Sequence, residues 1–489
     1  MIRRLLLGLL LLVLALVLAV VVNTWRKGSR QLEVAPVTPV AVDGAAVARR
    51  LAGAIAFRTM ASLDDAEASA DEFRKLHAYL AEQFPKVHAA LKREVVGHSL
   101  LFTWEGSDPK ARPIALMAHQ DVVPIAPGTE KAWKVAPFGG VVEDGFIWGR
   151  GAWDNKGNLF GQMEAVELLL SSGFKPRQTI YFVMGSDEEV GGLRGARRVA
   201  ELLTSRGVKL DFVLDEGLLI TDGVLTGLSQ PAALVGVAEK GYGTYFLSLD
   251  ATPGHSSMPP KQTAIGVMAA GLSRLESQQF PAAIKGVAAE MFDTLAPEMG
   301  GFSRVALSNL WLFGPLVRAQ LEKSPSTDAM LRTTTALTIF NAGNKDNVIP
   351  GHAGAAVNFR LLPGDRLADV EAHVEKAMAH DAVKLQRSPS NAEPSPVSPT
   401  SASGYQAINR TVREIFPGTL VAPGLMIAGT DSRHFTPLSD NIYRFSPVRA
   451  RPEDLPRFHG TNERISVANL IEVVQFYHQL LRNVAAPGR

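Results

Sequence analysis

The chain has 489 residues, which is more than one ordinary hydrophobic core can organise and predicts two or more domains. Its 50 basic and 48 acidic residues leave a formal net charge of +2, which argues against nucleic acid as a partner. The absence of cysteine excludes disulfide frameworks, thiolate nucleophiles and cysteine-based metal sites, so a metal ion would have to be bound by histidine and carboxylate.

The N-terminus begins with an uncharged apolar stretch at residues 5–22, followed by Trp25, Arg26 and Lys27. This stretch has about the length that crosses a bilayer, and the tryptophan is typical of a membrane interface. No small-x-small site closes it, which favours an uncleaved transmembrane signal anchor over a cleaved signal peptide, the alternative. We therefore predict a membrane-anchored protein with a Pro/Val-rich linker at 28–44 and a periplasmic or extracytoplasmic catalytic part.

The next part of the chain alternates between short apolar runs and helical patterns. The runs at 114–118, 180–184 and 212–214 are typical of buried strands, and residues 158–170 between them predict a helix. Strands buried in this way belong to a largely parallel sheet that is covered by helices. The fold class is therefore α/β in this region.

The pattern changes after Gly241. Strand and helix signals follow in the order β-α-β-β-α-β, at about 244–251, 263–276, 334–341, 353–361, 367–380 and 383–387. This order predicts an inserted α+β, ferredoxin-like lid or dimerisation domain over 242–388, with an additional helical insertion at 280–331. The catalytic domain would then be discontinuous, formed by 45–241 and 389–485.

Chemically active side chains follow three of the predicted strands. His119 comes after the first, Glu188 and Glu189 after the second, and Asp215 and Glu216 after the third. Carboxyl ends of parallel strands meet at one sheet edge, and carboxylates crowded there need a compensating cation. Imidazole and carboxylate without sulfur suit zinc, with cobalt or manganese as substitutes.

The spacing of these residues suggests a division of roles. Asp121 lies two residues past His119 and could orient its imidazole. Of Glu188 and Glu189, one could bind metal while the other acts as general base toward an activated water. Each motif alone is also typical of a surface pair or a capped helix start. Their order and their positions at strand ends favour the metal site.

The wording of these motifs resembles a known family. HQDVVP, GRGAWDNKG, SDEEVGG, LDEG and GHSSMPP are similar to motifs of the dizinc amidohydrolases and exopeptidases that include aminoacylase-1, carboxypeptidase S and glutamate carboxypeptidase. The carboxypeptidase S and N-acyl-amino-acid hydrolase branch is the most similar, over about 45–485. The resemblance implies two zinc ions per chain and hydrolysis of an amide bond next to a free carboxylate.

The resemblance also implies roles for individual residues. The implied metal ligands are His119, Asp154, Glu189, His459 and either Asp215 or Glu216. Asp154 would bridge the two metals. Glu188 would take a proton from the bridging water and pass it to the leaving amine. The choice between Asp215 and Glu216 stays open.

In the inserted unit, the resemblance implies that His255 stabilises the oxyanion, often from a partner subunit, so that a homodimer through the lid is expected. Asn347 and Arg360 would hold the free carboxylate of a small-molecule or short-peptide substrate, for which an arginine fork is well suited. Residues 429–434 would line the same pocket. Peptides and N-acyl amino acids remain equal alternatives as substrates.

Two other functions compete with this prediction. The first is a catalytically inactive, membrane-tethered binding module, and the second is a dizinc aminopeptidase. The intact Glu188 and ligand set disfavour the first, while Asn347 and Arg360 disfavour the second because they suit a carboxylate rather than an ammonium group.

Overall fold

The structure of the protein is a computed structural model that describes residues 1–486. Its helices are α1 (Ile2–Arg26), α2 (Gly44–Ile55), α3 (Ala70–Gln83), α4 (Pro85–Ala90), α5 (Lys156–Ser171), α6 (Ala196–Ser205), α7 (Ala264–Ser277), α8 (Gly286–Leu295), α9 (Gly301–Ser308), α10 (Leu310–Leu321), α11 (Pro325–Asp328), α12 (Leu367–Met378), α13 (Ser403–Ile415) and α14 (Val467–Ala485). Short 3-10 turns lie at Glu130–Ala132, Glu188–Val190, Ala296–Glu298, Asp431–Phe435 and Leu455–Arg457.

The strands belong to four sheets. They are β1 (Lys92–Val96), β2 (Ser99–Trp104), β3 (Ile114–His119), β4 (Val141–Glu143), β5 (Phe146–Trp148), β6 (Ile180–Gly185), β7 (Val213–Thr221), β8 (Ala232–Glu239), β9 (Gly241–Asp250), β10 (Gly254–His255), β11 (Thr334–Ala342), β12 (Val348–Ile349), β13 (His352–Leu361), β14 (Lys384–Arg387), β15 (Leu420–Met426), β16 (Ile442–Ala450) and β17 (Arg464–Ser466).

The main sheet has eight strands in the order β1-β2-β6-β3-β7-β16-β8-β15. The pairs β6–β3, β3–β7, β7–β16 and β8–β15 are parallel, whereas β1–β2, β2–β6 and β16–β8 are antiparallel. The prediction of a largely parallel sheet is confirmed. Strands β15 and β16, which follow the inserted unit in the chain, return to this sheet.

Burial on both faces explains why the sequence of strand β3 is continuously apolar. Leu116 and Ala118 pack into the core with α2, α5 and α14, while Ala115 and Met117 pack on the opposite face with α6. A strand that is buried on both faces has no polar alternation. Its last residue, His119, therefore emerges from a rigid, fully packed segment.

The ferredoxin-like unit is also confirmed. Its four-stranded antiparallel sheet has the order β11-β13-β9-β14, and α7 and α12 cover one face. Strand β9 alternates between buried residues such as Tyr245 and Leu247 and exposed ones such as Phe246, because only that one face is covered.

The helical segment α8–α11 belongs to the inserted unit by its position in the sequence, but it packs on the main sheet. Met291 and Phe292 of α8 lie in one hydrophobic cluster with Leu420 and Ala422 of β15. The segment lies within the predicted unit 242–388, yet it covers the edge of the main sheet because that edge offers the apolar surface. The domain division remains a prediction.

Helix α1 is long and apolar enough to cross a membrane, and none of its residues is buried in the protein. The prediction of residues 5–22 falls inside it. The helix extends beyond the apolar stretch at both ends, through Asn23 and Thr24 to Arg26 on the C-terminal side.

Candidate metal centre

Three neighbouring strands bring the predicted residues together. His119 ends β3, and Glu188 and Glu189 form the turn directly after β6. The prediction that Asp215 and Glu216 follow a strand is wrong, because β7 continues to Thr221; both lie within β7, just beyond Leu214, where its pairing with β3 ends. Because β6, β3 and β7 are adjacent and parallel, these side chains share one edge of the sheet. Asp154 reaches the same edge from the loop before α5.

One group of possible ligands consists of His119, Asp154 and Glu216. His119 Nε2 lies 3.0 Å from Asp154 Oδ1 and 3.3 Å from Glu216 Oε1. All three side chains are largely buried, with exposed fractions of 2%, 4% and 13%. Their ligand atoms converge within 4.8 Å of one another.

A second group shares Asp154 with the first. His459 Nε2 lies 2.7 Å from Asp154 Oδ2 and 3.3 Å from Glu189 Oε2. His459 has a positive φ of 55°, in the αL region where an ordinary residue is uncommon. Its side chain is 44% exposed, so this half of the cluster is open to solvent. The two oxygens of Asp154 thus face two different histidines.

The residues present fit metal ions. Two ligands of one tetrahedral zinc ion lie about 3.3 Å apart, close to the separations within each group. Glu189 Oε1 is buried without a hydrogen-bond partner among the described residues. Nitrogen and oxygen donors without sulfur match the ions expected from the sequence.

The electrostatics of the cluster show an excess of buried carboxylate. Burial raises the pKa of Glu216 to about 8 and raises that of Glu188 well above its ordinary value. Hydrogen bonds to Asp154 and Glu189 raise the pKa of His459 to about 10. Burial opposes charge on His119 as well, but the surrounding carboxylates, Glu216 first, outweigh it and raise its pKa. Cations bound here would replace these protons.

The structure separates Asp215 from Glu216. Asp215 Oδ1 accepts a hydrogen bond from the Glu216 N–H at 2.8 Å, and Oδ2 accepts one from the Ser432 N–H at 2.8 Å. Both oxygens of Asp215 are therefore engaged with backbone. Glu216 Oε1 lies 3.3 Å from His119 Nε2, so this geometry favours Glu216, and the choice of ligand itself remains a prediction.

Asp121 connects His119 to the two glutamates. Its carboxylate accepts hydrogen bonds from the backbone N–H groups of Glu188 at 3.2 Å and Glu189 at 3.0 Å. The His119 Nδ1 atom lies 2.9 Å from the backbone carbonyl of Asp121. An Nδ1–H donated to this carbonyl leaves Nε2 free for a metal. The prediction that Asp121 orients the His119 imidazole remains a prediction.

Sequence reasoning missed Glu463, which organises the loop that carries Asp154. The Glu463 carboxylate is fully buried, and its Oε2 pairs with Arg150 Nη1 at 2.7 Å. Its Oε1 accepts hydrogen bonds at 2.9–3.0 Å from the backbone N–H groups of Gly151, Trp153 and Asp154. Arg150 in turn donates to the His459 carbonyl at 3.0 Å. The only signal was the proximity of Glu463 to His459 in the chain.

The 429–434 segment lies beneath the cluster. Asp431 is 3% exposed, and neither of its carboxylate oxygens has a hydrogen-bond partner among the described residues. Thr430 is fixed by Glu239, which accepts hydrogen bonds from the Thr430 N–H and hydroxyl and from the buried Arg444 guanidinium. Burial and the neighbouring acids, Asp215 first, raise the pKa of Asp431 well above its ordinary value.

The lid residues lie apart from this cluster. His255 on β10 pairs with Val348 on β12, and the Ser256 N–H donates to the Asn347 carbonyl at 3.1 Å, so His255 and the exposed Asn347 lie side by side at a small two-stranded antiparallel sheet. Within residues 1–486, no hydrogen bond or ion pair joins either side chain to the metal ligands. Arg360 stacks on Tyr242, with its guanidinium carbon 4.7 Å from the ring centroid. The predicted roles of these three residues remain predictions.

Comparison with known proteins adds to this geometry. The model of Peptidase family M20/M25/M40 matches residues 115–483. N-fatty-acyl-amino acid synthase/hydrolase PM20D1 of Xenopus tropicalis is 45% identical over 438 residues, which cover 88% of this chain and 85% of that protein. Carboxypeptidase S of Saccharomyces cerevisiae is 32% identical over 84% of this chain and 78% of its own.

Solved structures share the fold. The M20 family metallo-carboxypeptidase Sso-CP2 of Sulfolobus solfataricus superimposes with a TM-score of 0.67 at 18% identity and covers 91% of this chain and 99% of its own. Human carnosine dipeptidase 1 gives a TM-score of 0.62 at 16% identity with the same coverage. At these identities the likeness concerns the fold alone.

Proposed function

The chain belongs to peptidase family M20/M25/M40 and is a metal-dependent hydrolase, and we propose that it works with two zinc ions that share Asp154. The observation that carries the proposal is the position of Asp154 between two ligand groups. Oδ1 faces His119 and Oδ2 faces His459, with Glu216 completing one group and Glu189 the other. When bound, such ions supply Lewis acidity that makes a water nucleophilic near neutral pH and polarises a carbonyl.

Glu188 is the proposed general base. It belongs to a convergent group with His119 and Glu189, yet its side chain takes part in neither of the two groups that share Asp154. Its backbone is fixed through Asp121. Glu188 takes a proton from the attacking water as the new C–O bond forms, and it delivers that proton to the amide nitrogen as the C–N bond breaks. The products are a carboxylate and a free amine.

The proposed substrate carries a free carboxylate beside the scissile amide. Arg360 is partly buried where the lid meets the main sheet, and burial lowers its pKa, with Arg433 acting in the same direction. Arg433 lies 4.0 Å from the Glu239 carboxylate, whereas Arg360 makes no ion pair among the described residues, so the Arg360 guanidinium is the one available to a substrate carboxylate. The substrate class therefore comprises short peptides cut at the C-terminal residue and N-acyl amino acids, the two chemistries that appear in the names of the relatives.

The proposal is tested with the zinc-loaded full chain in detergent. Dipeptides and long-chain N-acyl amino acids are supplied as free acids and, for comparison, as C-terminal amides. We expect hydrolysis of the free acids of at least one class and a large loss of kcat/KM for the amides. Equal turnover of acids and amides would contradict carboxylate recognition, and turnover only of substrates with a free amino terminus would indicate an aminopeptidase.

We also propose that α1 anchors the enzyme in a membrane and that two lids pair in a homodimer. His255 is exposed in its own chain, and its Nδ1 is occupied by the Ser257 hydroxyl at 2.7 Å. The other ring nitrogen of His255, Nε2, is therefore available to the active site of a partner subunit. The mass of the detergent-solubilised protein measures this association, and a monomeric active enzyme would contradict it.

A further inference from the structure

The segment formed by α9 and α10 exposes an unusual amount of apolar surface. Phe302, Trp311 and Leu316 are 59%, 60% and 56% exposed, and no residue of α10 is buried. The sequence from 305 to 317 contains no charged residue and is flanked by Arg304 and Arg318. Contiguous exposed apolar surface with a basic rim marks an interaction site.

This apolar surface is attached directly to the end of α1. Asn23 donates hydrogen bonds to the Ser308 carbonyl at 2.7 Å and to Asn309 Oδ1 at 3.0 Å. Asn309 donates in return to Thr24 Oγ1 at 2.8 Å. Asn309, which joins α9 to α10, is fully buried. The junction of α9 and α10 is therefore fixed at the level where the apolar run of α1 ends.

Ion pairs fix the same end of α1 from another side. Lys27 and Arg30 both contact Asp293 of α8. Because α8 packs on the main sheet, α1 is connected to the body of the enzyme at two points rather than by a free linker. If α1 spans a bilayer, the level of its Asn23 defines the bilayer surface, and α10 begins at that surface.

We propose that α9 and α10 lie in the lipid headgroup region of the membrane that α1 spans, with Phe302, Trp311 and Leu316 inserted toward the acyl chains. The indole N–H of Trp311 donates to Asn309 Oδ1 at 3.2 Å, which satisfies its polar atom and leaves the ring for lipid. Arg304 and Arg318 lie on the flanks of the apolar run, where lipid phosphates would meet them, as in interfacial helices. The catalytic body would thereby be held at a fixed orientation on the membrane.

This inference rests on the proposed anchor, and the cysteine-free chain allows both to be tested separately. Single-cysteine variants Trp311→Cys and Leu316→Cys report on the surface, and Leu12→Cys reports on α1. Val142→Cys is the matched control, because Val142 is an apolar residue of similar exposure, 46%, on the distant β4. The full chain, labelled with an environment-sensitive fluorophore, is reconstituted in vesicles of phosphatidylcholine and phosphatidylglycerol that contain no quencher, a shallow doxyl-lipid quencher or a deep one, because Leu12 lies about 16 Å below the level of Asn23 along α1.

We expect the shallow quencher to reduce the emission at positions 311 and 316 about twofold and the deep quencher to reduce that at position 12 about twofold, and we expect neither to change position 142. Quenching at 12 without quenching at 311 and 316 would overturn the membrane contact and keep the anchor. No quenching at position 12 would overturn both. Protection of positions 311 and 316 from both the lipid quencher and aqueous iodide would also overturn the membrane contact, since another protein surface would then cover α9 and α10.

Discussion

Replacing Glu463 by glutamine tests whether this buried carboxylate holds the metal centre in place. Glutamine keeps the size of the side chain but removes the charge that faces Arg150, and the two side chains are 0% and 2% exposed. Breaking a buried ion pair on one side costs about 3–5 kcal/mol, because the remaining guanidinium has no counter-charge. A matched control is Glu472→Gln, since Glu472 pairs with Arg449 at 2.7 Å but the two are 28% and 35% exposed. That change should cost about 0–1 kcal/mol.

Urea unfolding of the full chain in detergent, followed by tryptophan fluorescence, measures both variants. We expect the Glu463→Gln midpoint to fall by about 0.5–1.5 M and the Glu472→Gln midpoint to stay close to that of the parent, because the urea dependence of the unfolding free energy is steep for a chain of this size. Zinc affinity gives an independent readout. Because Glu463 positions the Asp154 backbone and, through Arg150, the His459 carbonyl, its loss should weaken zinc binding about 10–100-fold. Equal effects of the two variants on stability and on zinc would refute the reasoning.

Three further predictions concern the ligands, their protons and the substrate carboxylate. Glu216→Gln should leave one of two metals per chain, measured by elemental analysis. Asp215→Asn should retain both, with metal affinity lowered about 10–100-fold. Loss of a metal in Asp215→Asn and retention of both in Glu216→Gln would contradict the proposal of Glu216 as the ligand. The pKa of Glu216 is raised to about 8 and that of His459 to about 10, so both side chains hold protons at pH 7 without metal. Zinc uptake should therefore release protons, and zinc affinity should rise with pH up to about 10. Calorimetry in buffers of different ionisation enthalpy measures this release, and a pH-independent affinity would contradict it. Arg360→Met should raise KM for free-acid substrates about 10–100-fold, since a charge-assisted hydrogen bond contributes ~1.5–3 kcal/mol, and should leave the C-terminal amides unaffected.

The sequence was sufficient for the architecture because the hydrophobic patterns in it are strong. Strand β3 is buried on both faces and reads as a continuous apolar run, while β9 is covered on one face and alternates. These patterns also placed His119 and the two adjacent glutamates at one sheet edge. Most of the cluster is therefore predictable from the positions of the strands in the sequence.

Three-dimensional detail bears on what the sequence left open. Asp215 and Glu216 are adjacent and chemically alike, and only the hydrogen bonds from the Glu216 and Ser432 backbones to Asp215 distinguish the two carboxylates and support the proposal of Glu216 as the ligand. Glu463 has no motif of its own, because it acts through backbone N–H groups that any residue provides. The packing of α8 on β15 depends on an apolar sheet edge that exists only after the last third of the chain has folded back.

The central claim is that two metals and Glu188 together activate the attacking water. Measuring metal content and kcat in Glu188→Gln tests it most directly. Glutamine keeps the shape of the side chain but cannot accept the proton. We expect two metals per chain, as in the parent, and a kcat lower by about 10²–10⁴-fold. Undiminished turnover would contradict the role of Glu188, and loss of metal together with activity would show that Glu188 is a ligand rather than the base.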